Sequence, residues 1–431
     1  MKNSNSRLIL EDGTTFAGQS FGAPKSTAGE VVFATGMVGY DLSLTDPSYC
    51  GQILTFTYPL IGNWGVPSRQ FWESEKIQVA GLVISDLTTA PNHWQSEKTL
   101  DTWLKEEGIP GIYGIDTRAL TQKLRTKGVM LGKIVIGDQD VKLYDPNLTN
   151  LVAEVSPNQV KIHPPTVILE GVKRPIGSRD SIDPSGLQND NRGVNIALLN
   201  CGAKRNILRN LLARGATVYE LPWNFDPFSD GWRQQKGFPP ARSPVMDHER
   251  NMDKVIKTST GGREAGDRTR EGIKINGLVI SNGPGDPKMA KETIKIIKKA
   301  LDAKIPTFGI CLGNQLLALA AGGDTYKLKF GHRAQNQPTI ISQLRLVRMR
   351  QAGVVLENRC YITTQNHGFA VSEGKMPDGF VRWFYNANDN TNEGIIHEKL
   401  PFFSVQFHPE ANPGPKDTQW LFDYFLTRIK K

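Results

Sequence analysis

Residues 306–320 read PTFGICLGNQLLALA. The short apolar run 306–310 suits a buried strand, and 312–320 has the composition of a buried helix. Between them stands Cys311, with Gly309 and Gly313 on either side. A nucleophile on a sharp strand-to-helix turn is pushed out above the sheet, and flanking glycines relieve the crowding of such a turn. The helix that begins after Cys311 presents unpaired amides and the positive end of its dipole. Both favour a thiolate and a developing oxyanion. The plainer reading of a lone cysteine, a small buried core residue, gives way as the surroundings accumulate.

Upstream, the chain alternates strand and helix, the signature of an α/β sheet with parallel strands. VNIALLN (194–200) is a buried strand, followed by the helix KRNILRNLLARG (204–215) and the strand ATVYELP (216–222). GLVIS (277–281) is another strand and 288–303 another helix. Downstream, FFSVQFH (402–408) is a late strand. TQWLFDYFLTRI (418–429) is an amphipathic helix with Leu421, Phe422, Phe425 and Leu426 on its apolar side. Two loops carry further chemistry. His408-Pro409-Glu410 should be extended, because Pro409 disfavours helix at His408, and i and i+2 of an extended chain share a side. Glu410 then lies beside the imidazole, completing a nucleophile, base and orienter. Ser281-Asn282-Gly283-Pro284-Gly285-Asp286-Pro287 closes a strand, and its two glycines allow close backbone approach to a ligand. The phosphate-loop pattern GxxxxGK[ST] is absent.

The first 150 residues are different. RLILEDGTTFAG (7–18) reads as a hairpin around Asp12-Gly13. GEVVFATG (29–36), QILTFTYPLIG (52–62) and VAGLVISD (79–86) are β-rich runs. A helix over 117–127 starts after the N-cap Asp116 and stops at Gly128. The domain organisation is therefore a β-rich domain over 1–150, a Pro- and Gly-rich linker over 151–193, and an α/β domain over 194–431. Within the last, 231–274 reads as a disordered basic insertion, and 339–357 as an extra hairpin.

The net charge of +9 over 431 residues suggests a nucleic-acid partner until it is mapped. Residues 1–150 hold 13 basic and 16 acidic side chains, whereas 194–431 hold 34 and 22. No basic motif is interleaved with aromatics, so no nucleic acid is expected. The four cysteines form no CxxC pair, which argues against a zinc ribbon or a disulfide scaffold, and no metal is assigned. No apolar run approaches the roughly 20 residues of a membrane span, and the N-terminus lacks a secretory h-region. A cytoplasmic setting, with no membrane partner, fits these observations.

GICLGNQ, SNGPGDP, TTQNHGF and VQFHPEANPGP together resemble the class I glutamine amidotransferases. GEVVFATGMVGYDLSLTDPSYCGQILTFTYPLIGNWGV (29–66), IDTRALTQKLRTKG (115–128), CGAKRNILRNLLARG and KFGH narrow the likeness to the carbamoyl phosphate synthetase small-subunit family. The resemblance implies an α/β fold: a β-rich N-terminal domain followed by an amidotransferase domain with a mainly parallel sheet flanked by helices. It implies that Cys311 attacks the glutamine amide, that His408 serves as base and then acid, and that Glu410 orients His408. Backbone amides of Gly283 and Leu312 would form the oxyanion hole. L-glutamine would be held by Ser48, Gly283, Gly285, Leu312, Gln315, Asn366, Gly368 and Phe369. Ammonia would pass to a separate large subunit that makes carbamoyl phosphate from bicarbonate and ATP, for arginine and pyrimidine biosynthesis. No cofactor belongs to this chain, and ATP and Mg are expected on that large subunit. The family usually has His where this chain has Asn314, and Asp-Phe-Gly where it has Cys201. Cys50, Cys201, Cys360 and His332 read as structural residues. Amidotransferases of the anthranilate or GMP synthetase type lack the first 150 residues. A non-catalytic scaffold would not need Cys311, His408 and Glu410.

Overall fold

The computed structural model describes residues 5–165, 193–229, 274–342 and 360–429. The insertion expected at 231–274, Lys274 aside, lies outside them, as does most of the hairpin expected at 339–357.

In the first body, β1 (Asn5–Leu10) and β2 (Thr15–Gly22) make the hairpin around Asp12-Gly13. The strands β3 (Thr27–Ala34), β4 (Gln52–Phe56), β5 (Leu60–Ile61), β6 (Gly81–Val83), β7 (Asp86–Leu87), β8 (Pro110–Tyr113) and β9 (Met130–Ile136) follow. Seven of them close into a barrel in the order β1-β2-β8-β6-β4-β3-β9, and β5 pairs with β7 apart from it. Closure through β9 and β1 removes the free edges. The two faces of the barrel wall follow the period-2 alternation of each strand. Val31, Ile53 and Val83 join one buried cluster, and their neighbours Val32, Leu54 and Leu82 join another. Three helices, α1 (Tyr40–Leu44), α2 (Leu100–Glu106) and α3 (Thr117–Lys127), lie along this body. Asp116 caps α3 by accepting from the Ala119 amide at 2.9 Å, and Gly128, at φ 109°, ends it.

The stretch expected as linker begins with structure. α4 (Leu151–Val155) buries Leu151 and Val152, and β10 (Lys161–His163) pairs antiparallel with a strand of the second body. Composition hid this because the strand is three residues long and its partner lies almost sixty residues away.

The second body contains β11 (Asn195–Asn200), α5 (Arg205–Ala213), β12 (Thr217–Pro222), β13 (Gly277–Ile280), α6 (Lys291–Asp302), β14 (Thr307–Ile310) and α7 (Leu312–Ala320). Among the described residues it also holds β15 (Thr325–Ile341), β16 (Cys360–Val371), β17 (Phe380–Asn386), β18 (Asn392–His397), β19 (Phe402–Val405) and α8 (Trp420–Ile429). One ten-stranded sheet runs β10-β12-β11-β13-β14-β19-β18-β17-β15-β16. The parallel strands β12, β11, β13, β14 and β19 form its centre. An antiparallel wing, β18-β17-β15-β16, extends it further than the alternation of strand and helix suggested. Antiparallel neighbours need no crossover helix between them, so the wing lacks the βαβ signature. Both faces of the centre are buried. Ile196 and Leu198 meet Leu421, Phe422 and Phe425 of α8, while Ala197 and Leu199 meet Ile297 of α6 and Leu316 of α7. The carboxyl ends of the central strands carry the loops where ligands gather in such sheets.

Candidate active site

Cys311 joins β14 to α7 with φ 54° and ψ −103°, a conformation L-residues seldom adopt. The turn is tight enough to require its glycines. A Cβ on Gly309 would meet the Gly313 carbonyl oxygen at 2.4 Å, and one on Gly313 would meet that of Ile280 at 2.3 Å. Leu312 opens α7, so its amide has no carbonyl one turn behind it. The thiol is buried, with Sγ 3.6 Å from the Asn366 carbonyl oxygen and 3.7 Å from Nε2 of Gln406.

His408 and Glu410 are also fully buried, and Nδ1 of the imidazole lies 2.7 Å from Oε1 of the carboxylate. A turn, not an extended strand, brings them together. His408 pairs with Thr364 as an isolated bridge, and the Ala411 amide donates back to the His408 carbonyl at 3.1 Å. Nε2 of His408 makes no hydrogen bond among the described residues. Burial opposes protonation of this ring, but Glu410 and then Cys311 outweigh it and raise the imidazole to about 10. Burial would also raise Glu410, yet Lys204 and His408 hold it below the usual carboxylate range. Lys204 is buried as well. Its Nζ lies 3.2 Å from Glu410 and donates to the Ala411 carbonyl at 2.6 Å.

A narrow cleft opens beside Cys311. All eight residues named for glutamine line it: Ser48, Gly283, Gly285, Leu312, Gln315, Asn366, Gly368 and Phe369. Ser48 comes from the barrel body, on a turn capped by Asp46, whose carboxylate accepts from the Ser48 amide at 2.9 Å. The same carboxylate accepts from Asn282 at 3.2 Å and Asn366 at 3.1 Å, so one buried anion ties both bodies around the cleft. Asn282 also donates to Ser48 Oγ at 2.9 Å. Nε2 of Gln315 donates to the Phe369 carbonyl at 2.8 Å. Gly283 is required by packing, since a Cβ there would meet the Cys201 carbonyl oxygen at 2.1 Å. Gly285 is required by its left-handed φ of 81°.

Sequence reasoning passed over several residues here. Gln406 stands two before His408 in VQFHPE, and its Oε1 accepts from Asn314 at 3.0 Å and Gln315 at 3.2 Å. Asn314, where the family usually has His, is thus a buried link that aims Gln406 at the thiol. Ser404 completes the link by donating to Asn314 at 2.8 Å. Lys204 sits in the quoted CGAKRN and still had no role assigned. Arg333 is buried in the cleft wall with its guanidinium donating to the Phe330 carbonyl at 2.7 Å, and burial pushes its pKa down. No local pattern marked it. His332, His367 and Glu393 are the one group of possible metal ligands among the described residues, their ligand atoms within 4.8 Å of one another. Both His332 nitrogens, however, already face carboxylates, Asp389 at 2.8 Å and Glu393 at 3.2 Å. His367 is kept neutral by burial and by the charge of His332, and its Nδ1 lies 2.8 Å from the Phe369 carbonyl oxygen.

Comparison with known proteins agrees with this geometry. Residues 8–134 match the carbamoyl-phosphate synthase small chain, CPSase domain, and residues 197–428 match the glutamine amidotransferase class-I family. The multifunctional protein pyr1-3 of Dictyostelium discoideum is 40% identical over 98% of this chain, which covers 17% of that protein. The mitochondrial carbamoyl-phosphate synthase [ammonia] of Aquarana catesbeiana is 40% identical over 100% of this chain and 24% of its own length. The multifunctional protein URA2 of Saccharomyces cerevisiae is 38% identical over 100% of this chain and 18% of its own. The chain therefore spans about a fifth of the length of these relatives. With a buried cysteine elbow, a His–Glu pair beside it and family matches over both bodies, the chain belongs to the class I glutamine amidotransferases, joined to a carbamoyl-phosphate synthase small-chain domain.

Proposed function

We propose that the chain is the glutamine-hydrolysing component of a carbamoyl phosphate synthase. Glutamine enters the cleft with its side-chain amide at Cys311. The His408 ring takes the thiol proton, and Sγ attacks the amide carbon. The resulting oxyanion lies against the amides of Leu312 and Gly283. The C–N bond breaks as His408 returns the proton to the leaving nitrogen, which departs as ammonia. Water then attacks the thioester, His408 takes its proton and returns it to Sγ, and glutamate leaves. Glu410 holds the imidazolium formed in each half, and Lys204 keeps Glu410 ionised. What supports this reading is that Cys311 lines one cleft with the eight residues named above, while His408, which feels the charge of Cys311, is paired with Glu410.

The ammonia would be consumed by a separate large subunit that holds ATP and Mg and uses bicarbonate, in the cytoplasm, for arginine and pyrimidine biosynthesis. Two of the matched relatives are multifunctional proteins, which supports a linked or associated synthase. Another is named for ammonia, so a chain that merely supports an ammonia-dependent synthase is the second reading. An intact elbow and a charged His–Glu pair favour hydrolysis. No helix among the described residues is long and apolar enough to cross a membrane.

The test is Cys311→Ser in the chain assembled with its large subunit. Glutamine-dependent synthesis and glutamate release should vanish while ammonia-dependent synthesis persists. Undiminished glutamine use by the variant would exclude the proposal.

A further inference from the structure

Glu73 lies in the barrel body, between β5 and β6, yet the hydrogen-bond partners of its carboxylate all lie in the second body. It is completely buried. Oε2 accepts from the Asn206 amide at 3.0 Å, at the start of α5. Oε1 accepts from Arg209 at 3.0 Å and from the Asn412 side chain. Its backbone is held too: the Glu73 amide donates to Thr45 at 3.0 Å, and its carbonyl accepts from the Arg205 amide at 2.8 Å.

These partners converge on the loop that carries Glu410. Asn412 is two residues beyond it, and the Asn206 side chain donates to the Glu410 carbonyl. Lys204, one residue before α5, contacts Glu410 and feels the charge of Glu73. A buried carboxylate is costly, and an apolar residue would fill the same volume without that penalty. What the carboxylate adds is geometry, since three groups from two separate segments are fixed to one point. We propose that Glu73 is a positioning residue for the catalytic triad, through which the barrel body sets the place of Glu410 and Lys204. The role rests on the glutaminase reading above. It gives the first 150 residues a second part in the chemistry besides supplying Ser48.

The test uses the full chain with Glu73→Gln, which keeps the shape and loses the charge, and Glu73→Asp, which keeps the charge. Glutamate release should show kcat reduced roughly 10- to 100-fold in Glu73→Gln, the range that misplacement of catalytic groups produces. KM should stay within about twofold, because Glu73 is not among the residues lining the glutamine cleft. Glu73→Asp should retain more activity than Glu73→Gln. Asn412→Gly removes one of the anchored groups at a position with φ 58°, which glycine accepts, and should lower kcat in the same sense. Alkylation of Cys311 by iodoacetamide, read against Cys311→Ser, should slow in Glu73→Gln and needs no turnover. If the wild-type chain releases no glutamate, the glutaminase reading fails, and the alkylation rate still decides the role of Glu73. Wild-type kcat and alkylation in folded Glu73→Gln would overturn the inference. So would equal damage in Glu73→Asp and Glu73→Gln accompanied by an equal loss of thermal stability, which would mark a packing role alone.

Discussion

Replacing Glu410 by Gln separates the charge of the orienting group from its shape. Gln keeps an oxygen to accept from His408 Nδ1, so the ring remains oriented while the carboxylate charge is lost. His408 is raised from 6.5 to about 10, a difference worth about 5 kcal/mol in favour of the imidazolium. Glu410 and Cys311 share that gain, with Glu410 the larger contributor. If Glu410 supplies at least half, its removal costs about 2–3 kcal/mol wherever the imidazolium forms. That corresponds to a fall in kcat of roughly 30- to 150-fold. The alkaline limb of the kcat/KM profile should also move to lower pH, because a ring without its anion gives up its proton sooner. Lys204 keeps the Ala411 carbonyl and the charges of Glu73 and Asp46, so the fold should survive. The assay is glutamate release from pH 6 to 10 on wild type and variant. A variant with kcat within threefold of wild type and an unmoved alkaline limb would refute the electrostatic role given to Glu410.

Other perturbations follow from the same geometry. Gly283→Ala places a methyl 2.1 Å from the Cys201 carbonyl oxygen, which the backbone must move to accept. It should lower both thermal stability, by about 1–3 kcal/mol, and kcat, as read by calorimetry and glutamate release. His332 is raised from 6.5 to about 9 by Asp389 and Glu393 against the opposing effect of its burial. Its folded pKa is above its unfolded one, so the stability it contributes is complete below about pH 6.5 and is lost as pH rises through about 9. His332→Asn should remove about 3 kcal/mol at pH 6 and little at pH 9.5 by urea unfolding. A pH-independent difference would assign its contribution to packing. Cys311→Ser should leave the melting temperature within a few degrees of wild type while abolishing glutamine hydrolysis, as a differential scan alongside the activity assay checks.

Much of the site was legible in one dimension because its constraints are local. GICLGNQ reports a turn that only glycines at 309 and 313 permit, and the clashes their side chains would cause are the physical content of that pattern. The ends of α3 were marked by Asp116 and Gly128 for equally local reasons. The residues assigned to glutamine, by contrast, came from family resemblance. Their gathering in one cleft depends on strands and loops that lie far apart in sequence. The linker reading went astray at 151–163 because a one-turn helix and a three-residue strand carry too few residues to show a period. The pairing of His408 with Glu410 was foreseen, but a turn closed by the Ala411 amide produces it.

The amino-acid sequence alone therefore determined the alternation of strand and helix around Cys311 and the glycine-flanked cysteine elbow itself. These are written in spacings of a few residues, where steric limits on the backbone act directly. Only the tertiary structure decided that the β-rich half closes into a barrel, that Asp46 ties Ser48 to Asn282 and Asn366, and that Glu73 reaches across to the loop behind Glu410. Those contacts join residues more than 200 positions apart, where the energy of a buried charge finding its partners leaves no periodic trace in the chain.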